Sequence, residues 1–280
     1  MNRTSDPRLR GILVCLVRHL HEFVCEARLT EDEFRAATEI LNEIGQLKSD
    51  THNEMMLMAG SLGVSSLVCL LNNAEEYDET SQSLLGPFWR KNAPRTRNGA
   101  TIVRSDTPGQ ALFVNVRVRD RGGQPVASAE VDVWHASPVG LYENQDENQT
   151  EMNLRARFTT DATGRIWFRT VKPTGYPVPT SGVVGRLLKA QNRHPYRPAH
   201  VHFLVFKRGF KTLISQIYAD DDEYLESDVQ FGVTRALIGK FEEHREPCPV
   251  ANQVIPPWYS LEYTFVMDRG EARLPAAPIQ

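Results

Sequence analysis

Two histidines stand one residue apart in Arg197-Pro198-Ala199-His200-Val201-His202-Phe203, inside an apolar, β-branched run. On an extended strand, alternate side chains project to one face. The spacing therefore predicts that His200 and His202 leave the same side of a sheet and supply half of a metal site. Leu204 and Phe206 continue that face, and Val201, Phe203 and Val205 line the other. Two imidazoles hydrogen-bonded in a core would show the same pattern. His19 and His21 have the same spacing but fall in a segment of helical periodicity, where positions i and i+2 diverge around the axis. That pair reads as surface or packing.

A metal needs donors beyond two imidazoles. Carboxylates are the usual third ligand of a non-haem Fe(II) centre, and acids such as Asp161 or Glu130 could serve. The loops also offer tyrosine. Tyr142 lies in Gly140-Leu141-Tyr142-Glu143-Asn144, just after a predicted strand, and Tyr176 lies in Thr174-Gly175-Tyr176-Pro177. A free phenol ionises near pH ~10, but a bound trivalent cation favours the phenolate. Two hard oxygens with two imidazoles suit Fe(III) better than Zn(II) or Cu(I). Either tyrosine could equally be a packing residue. Arg197 is a permanent cation beside the histidine strand; it could steady a developing anion or form a structural ion pair.

These side chains must be positioned by the elements around them, and the chain changes character near residue 80. Before it, three segments have helical periodicity. Asp6 to about Arg28 carries Leu9, Ile12, Leu13, Leu16, Val17, Leu20 and Val24. Thr30 to about Lys48 opens on Thr30-Glu31-Asp32-Glu33, a capping-box pattern. The third runs from about His52 to Asn72, with Gly60 and Gly63 weakening it. After residue 98 the period becomes two. Leu112 to Arg119 alternates cleanly, and Glu130 to Trp134, Arg165 to Thr170, Ala199 to Phe206, Thr212 to Tyr218 and Tyr263 to Met267 are further strand candidates. Asp228 to about His244 reads as one late helix, and the tail from Glu271 to Gln280 as extended. Short strands separated by Gly/Pro turns predict a sandwich or barrel.

The 280 residues allow one large domain or two smaller ones. A net charge of −3 gives no electrostatic basis for binding nucleic acid or an anionic membrane. Cys15, Cys25, Cys69 and Cys248 are scattered without a C-x-x-C, which argues against a cysteine zinc site or redox pair and for reduced thiols in a cytoplasmic protein. The N-terminus lacks the layout of a signal peptide, because Arg18, His19 and His21 break its apolar run. No stretch approaches the ~18 to 20 apolar residues of a membrane span, so membrane insertion is not expected.

The ordered set Tyr142, Tyr176 and Arg197-Pro198-Ala199-His200-Val201-His202 resembles the intradiol ring-cleavage dioxygenases, in the branch acting on catechols and hydroxyquinol. Leu84-Leu85-Gly86-Pro87-Phe88-Trp89, Val131 to Ala136, Asn153-Leu154-Arg155-Ala156 and Tyr176-Pro177-Val178-Pro179 extend the likeness, which covers most of the chain through about residue 245. The resemblance implies an α+β protein: a mixed-topology β-sandwich catalytic core (98–280) with an N-terminal α-helical dimerisation and linker domain (1–97). It implies Fe(III), one per chain, held by Tyr142, Tyr176, His200 and His202, with Arg197 and Gln216 beside it. It also implies that Tyr176 leaves the metal to act as the internal base. The substrates implied are a small aromatic diol and O2, and the product is a cis,cis-muconate.

Relatives in that family also imply a homodimer through the N-terminal helices, with or without bound lipid. By alignment, Leu57, Gly60, Leu85, Phe88, Pro177, Val178 and Gln230 line the substrate pocket. Tyr-Pro-x-Pro and Phe231-Gly232-Val233 resemble the hydroxyquinol branch, so hydroxyquinol (1,2,4-trihydroxybenzene) is the expected substrate, with catechol and substituted forms as alternatives. Two departures bear on that choice. Hydroxyquinol enzymes tend to carry an acid where Gly60 stands and a small apolar residue where Gln230 stands. The competing classes are a non-catalytic β-sandwich binding module and an Fe(II) or Zn(II) enzyme with a carboxylate ligand.

Overall fold

A computed structural model describes residues 3–49, 52–72 and 80–279; Met1, Asn2 and Gln280 of the terminal segments read above lie outside the described residues. Four helices come first: α1 (Pro7–Ala27), α2 (Glu31–Gln46), α3 (Glu54–Ser61) and α4 (Val64–Asn72). Asp6 caps α1 by accepting from the amides of Arg8 and Leu9. The capping box ahead of α2 forms as its sequence predicts: Thr30 N donates to Glu33 Oε2 at 2.8 Å and Glu33 N to Thr30 Oγ1 at 3.3 Å.

The predicted third helix is two helices. Gly63, in the left-handed region at φ +76°, lets the chain bend by 75° between α3 and α4. Among the described residues no single helix is long and apolar enough to cross a membrane. The α3–α4 pair together has the length and composition, but α3 packs against a fifth helix, α5 (Val183–Ala190), whose Val184 amide donates to the buried Glu54 at 2.7 Å.

Eleven strands follow among the described residues: β1 (Ala111–Asp120), β2 (Glu130–Trp134), β3 (Arg155–Thr159), β4 (Arg165–Val171), β5 (Tyr176–Pro177), β6 (Tyr196–Arg197), β7 (His200–Phe206), β8 (Leu213–Ala219), β9 (Ile238–Gly239), β10 (Phe241–His244) and β11 (Trp258–Met267). One sheet has the order β10-β11-β1-β4, a second β3-β2-β7-β8-β9, and β5 and β6 form a short ribbon. Both large sheets are mixed, with β1 and β11 parallel in the first and β8 and β9 parallel in the second. The inward residues of both meet in one core, with Leu112, Val114, Val116 and Val118 from β1 facing Val131, Val133, Val201, Phe203 and Val205 from β2 and β7. The fold is thus α+β, a mixed-topology sandwich preceded by helices.

That core sets the register of β7. Burying one large aliphatic or aromatic side chain is worth about 1.5–3 kcal/mol. A one-residue slip would expel Val201, Phe203 and Val205 together and drive both imidazoles into the apolar layer.

The chain divides into two compact units, 1–46 and 47–280. The α3–α4 pair, which the sequence reading groups with the N-terminal helices, belongs with the strands. The late helix over 228–244 does not form. Phe231 has φ +53°, and Gly232, Val233 and Thr234 follow it, a run poor in helix formers. The segment instead makes a turn from Asp228 to Gly232, a single 3-10 turn at Arg235–Leu237, and then β9 and β10, which pair with β8 and β11.

Candidate metal centre

Strand alternation brings His200 and His202 to the outer face of the second sheet, opposite Tyr218 and Gln216 on β8. Trp134, across from His202 on β2, lies flat on its ring with centroids 4.6 Å apart and planes 7° from parallel. The outer face is not open. The 81–90 segment crosses it, anchored by Ser83 N donating to Ile214 O at 2.8 Å and by Gln216 Nε2 donating to Leu84 O. Both histidines are 2% exposed.

The loop after β2 turns at Gly140, whose φ of +82° suits glycine and whose hydrogen lies where a Cβ would stand 2.9 Å from Tyr176 Cβ. This close approach sets Tyr142 beside Tyr176, their hydroxyls 3.2 Å apart. Tyr142 Oη is also 3.1 Å from His202 Nε2, and His202 Nε2 is 3.2 Å from His200 Nε2. Tyr142 is clamped from two sides: Phe88 stacks on it at 4.4 Å, and the Arg155 guanidinium stands 5.7 Å over its ring. Arg155 is in turn held by Glu143 at 2.6 Å.

Electrostatics make the cluster a collection of lone pairs. Burial, with Arg197 adding to it, pushes the His200 imidazole down to about 3; burial, His200 and Arg197 hold His202 well below its ordinary value. Both rings are therefore neutral. His200 Nδ1 donates to Pro198 O at 2.7 Å, which leaves the Nε2 lone pair facing the cluster. Burial and the neighbouring Tyr176 push the Tyr142 phenol well above its ordinary range. Burial also raises Tyr176, with Arg197 opposing it.

His202 Nδ1 is buried without a hydrogen-bond partner, contrary to two imidazoles simply satisfied in a core. Two phenol oxygens and two imidazole nitrogens converge here. This donor set fits a hard trivalent ion, whose charge would reverse the tyrosines' preference for the neutral form.

The carboxylate alternatives are elsewhere. Glu130 lies opposite Phe206, four residues along from the Trp134–His202 pair and roughly 13 Å away by strand rise. Asp161 caps the turn before β4. Nearer acids are turned onto arginines, Glu143 to Arg155 and Asp132 to Arg157. Among the described residues no group of three or more His, Cys, Asp or Glu is arranged to hold a metal.

Arg197, on β6, reaches the same cluster. Its Nη1 donates to His200 Nε2 at 3.2 Å and its Nη2 to Gln216 Oε1 at 3.0 Å. Gln216 is fully buried on β8, which lies between β7 and β9 in its sheet. Of the predicted pocket residues, Phe88 and Leu85 pack with Tyr142 and Tyr176. Val178 belongs to a neighbouring cluster against which Leu57 packs, and Pro177 is exposed between Tyr176 and Val178. A Cβ on Gly60 would stand 2.0 Å from Gln230 Oε1, so the Gln230 amide occupies the space a side chain at 60 would need.

Sequence reading missed Tyr218, Trp134 and Asp228. Asp228 alone had a signal, an aspartate two residues before one amide and four before a glycine, the pattern of a side-chain-capped turn rather than a helix.

Residues 84–268 match the family model described as "Dioxygenase", and residues 6–80 that described as "Catechol dioxygenase N terminus". The chain is 42% identical over 276 residues to a hydroxyquinol 1,2-dioxygenase of Rhizobium sp. (strain MTP-10005), covering 96% of this chain and 92% of the relative. A hydroxyquinol 1,2-dioxygenase structure from Pseudomonas putida DLL-E4 superposes with a TM-score of 0.89 at 37% identity, over 96% of this chain and 94% of that one. A catechol 1,2-dioxygenase structure from Pseudomonas arvilla C-1 superposes with a TM-score of 0.83 at 30% identity, over 99% of this chain and 90% of that one.

Proposed function

The chain belongs to the intradiol ring-cleavage dioxygenases, non-haem iron enzymes, and on that premise we propose that it opens hydroxyquinol with O2 to 3-hydroxy-cis,cis-muconate, the tautomer of maleylacetate. The observation that carries the site assignment is the run of close contacts from Tyr176 through Tyr142 and His202 to His200. These four would hold Fe(III), one per chain. When bound, the iron supplies Lewis acidity and a template for the diol and O2.

The protein's own part follows from its side chains. Tyr142 is fixed between Phe88 and Arg155 and stays in place. Tyr176 sits on a two-residue strand in a Pro-rich loop; as the phenolate that the ion would favour, it would take a proton from the diol. Arg197 directs Nη1 toward His200, where a permanent cation steadies negative charge that builds on the ring. Gln216 holds that guanidinium through Oε1. Phe88 and Leu85 wall the ring on one side, and Leu57, Gly60, Pro177, Val178 and Gln230 on the other.

Gln230 is the group that can hydrogen-bond a third ring hydroxyl in place of the acid absent at Gly60, and a hydroxyl so bonded is strongly discriminated. Catechol is the second reading, favoured by that same missing acid.

In this reading residues 98–280 form the catalytic half, and 1–97 serve dimerisation and linkage while lending Leu57 and Gly60 to the pocket. Helix α1 contains no buried residue, and Leu9, Ile12, Leu16 and Leu20 are each about half exposed. Such a stripe supports a homodimer through these helices, with or without bound lipid; light scattering that finds a monomer at every concentration would exclude it. The unoxidised thiols of Cys15, Cys25 and Cys248 support a cytoplasmic location.

The experiment is a visible spectrum of the purified protein before and after anaerobic addition of hydroxyquinol or catechol, followed by admission of air. A tyrosinate-to-iron band that shifts with a diol is expected, and hydroxyquinol should bleach fastest. A colourless protein holding stoichiometric metal would sink the tyrosine ligands, and faster bleaching with catechol would overturn the substrate.

A further inference from the structure

Asp228 is 4% exposed, and both of its carboxylate oxygens are occupied. Oδ1 accepts from Arg197 Nε at 3.1 Å and from Gln230 N at 3.2 Å. Oδ2 accepts from Arg197 Nη2 at 3.2 Å and from Gly232 N at 2.8 Å. Each oxygen thus takes one guanidinium N–H and one backbone N–H. A guanidinium gripped through Nε and Nη2 is held in one plane, because the fork is rigid and both contacts lie on the same edge. Nη2 donates further to Tyr218 Oη at 2.9 Å and to Gln216 Oε1 at 3.0 Å. The opposite nitrogen, Nη1, is thereby turned to His200.

Gly232 belongs to the same assembly. A Cβ there would stand 2.6 Å from Tyr218 Oη, 3.0 Å from Arg197 Nη2 and 3.1 Å from Asp228 Oδ2. The turn carrying Gln230 is tied down as well: Gln230 O accepts from Ser66 Oγ at 2.8 Å, and Val229 O from Arg193 Nη2 at 3.0 Å.

We propose that Asp228 is a positioning residue: it sets the plane of the Arg197 guanidinium so that Nη1 meets the anionic ring, and through the amides of Gln230 and Gly232 it joins the Gln230 wall of the pocket to that arginine. This rests on the reading of Arg197 as the cation that steadies charge on the ring. Held only by the neutral acceptors of Gln216 and Tyr218, the guanidinium would rotate about its Cδ–Nε bond. A misplacement of about 1 Å costs on the order of 100-fold in rate. The loss falls on kcat rather than KM, because the aimed charge acts on what builds up in the transition state.

The test uses iron-loaded wild type, Asp228→Asn, Arg197→Gln and the double variant, with glutamine chosen because its amide still donates to Asp228. Asp228→Asn should keep its iron, its resting visible band and its anaerobic diol affinity, and lose kcat by about 10- to 100-fold. In the Arg197→Gln background the same change should cost nothing further. Additive losses, or an unchanged kcat in Asp228→Asn, would overturn the proposal. If Arg197→Gln itself turns over normally, the reading of Arg197 falls and the proposal with it, a result distinct from additivity. Should Asp228→Asn not fold, Gly232→Ala crowds the same three atoms without changing charge. Its loss of kcat must likewise vanish beside Arg197→Gln, and persistence there would equally refute the role of Asp228.

Discussion

His19 and His21 on α1 have the same spacing as His200 and His202 on β7, and the two pairs have opposite fates. On the helix, positions two apart lie roughly 200° apart around the axis. His19 accordingly turns to Glu22, 2.9 Å away, with its side chain 62% exposed, and His21 is exposed without joining it. On the strand the pair shares one face, is buried, and comes within 3.2 Å at Nε2. The spacing carries chemistry only where the backbone has period two and where other elements cover the face. Burial then keeps both imidazoles neutral and leaves lone pairs facing the cluster.

The sharpest way to break this comparison is to remove one imidazole from each pair. His200→Ala or His202→Ala should lower iron affinity by more than about 100-fold, the upper end of what loss of an outer partner alone costs, and abolish the visible band. Metal analysis after dialysis against a chelator checks it; iron retained at full stoichiometry would refute the ligand set. Next in size, Arg197→Gln should retain iron but lower kcat by about 10²- to 10³-fold, as loss of a preorganised charge donor does, in steady-state kinetics on hydroxyquinol.

Acid should test the buried imidazoles. Burial pushes His135 from its ordinary value of 6.5 down to about 4, while both its ring nitrogens are engaged by Ala136 O and Thr170 Oγ1. A histidine whose folded pKa is depressed contributes stability that is complete above pH 6.5 and is lost as the pH falls toward 4. Over that window the unfolded chain binds the proton that the folded one refuses, so iron-free protein should lose up to about 1.4 kcal/mol per pH unit per such histidine. Urea midpoints measured from pH 7 to pH 4 test the slope, and His135→Gln should flatten it.

Smaller still, Gly60→Asp should destabilise the fold by about 1 kcal/mol, the low end of overpacking, because its Cβ meets the far end of the flexible Gln230 side chain, which can shift aside. Gln230→Ala in the same chain should recover most of the loss in thermal melts. Smallest of all, His19→Ala and His21→Ala should stay within about 0.5 kcal/mol of wild type with iron content unchanged.

Much of the molecule was legible from periodicity. β2 has the bounds its alternation predicts, β1, β4, β7 and β8 lie within a residue or so of theirs, and the capping box of α2 forms. Those elements were readable because local pattern and tertiary packing agree in them. The third helix and the late helix were misread because the deciding facts are not periodic. In the first, a left-handed glycine bends the chain between two helices. In the second, a distant arginine claims Asp228, and strand edges at β8 and β11 recruit the residues that follow. β3 and α5 escaped notice because neither has a long repeat.

The sequence by itself determined the face that His200 and His202 share, since alternation is a local property of an extended backbone. It also determined the order of the two tyrosines and the arginine, which is what the family resemblance rests on. Only the tertiary structure decided that Tyr142 and Tyr176 meet those histidines, that Glu130 and Asp161 do not, and that Gln216 and Asp228 grip Arg197 on its inner side. Those contacts join residues 19 to 60 positions apart, from Arg197–Gln216 to Tyr142–His202, whose separations encode nothing about distance. They are settled by the packing of β2, β7 and β8, by the approach of Gly140 to Tyr176, and by the need of each buried charge for a partner.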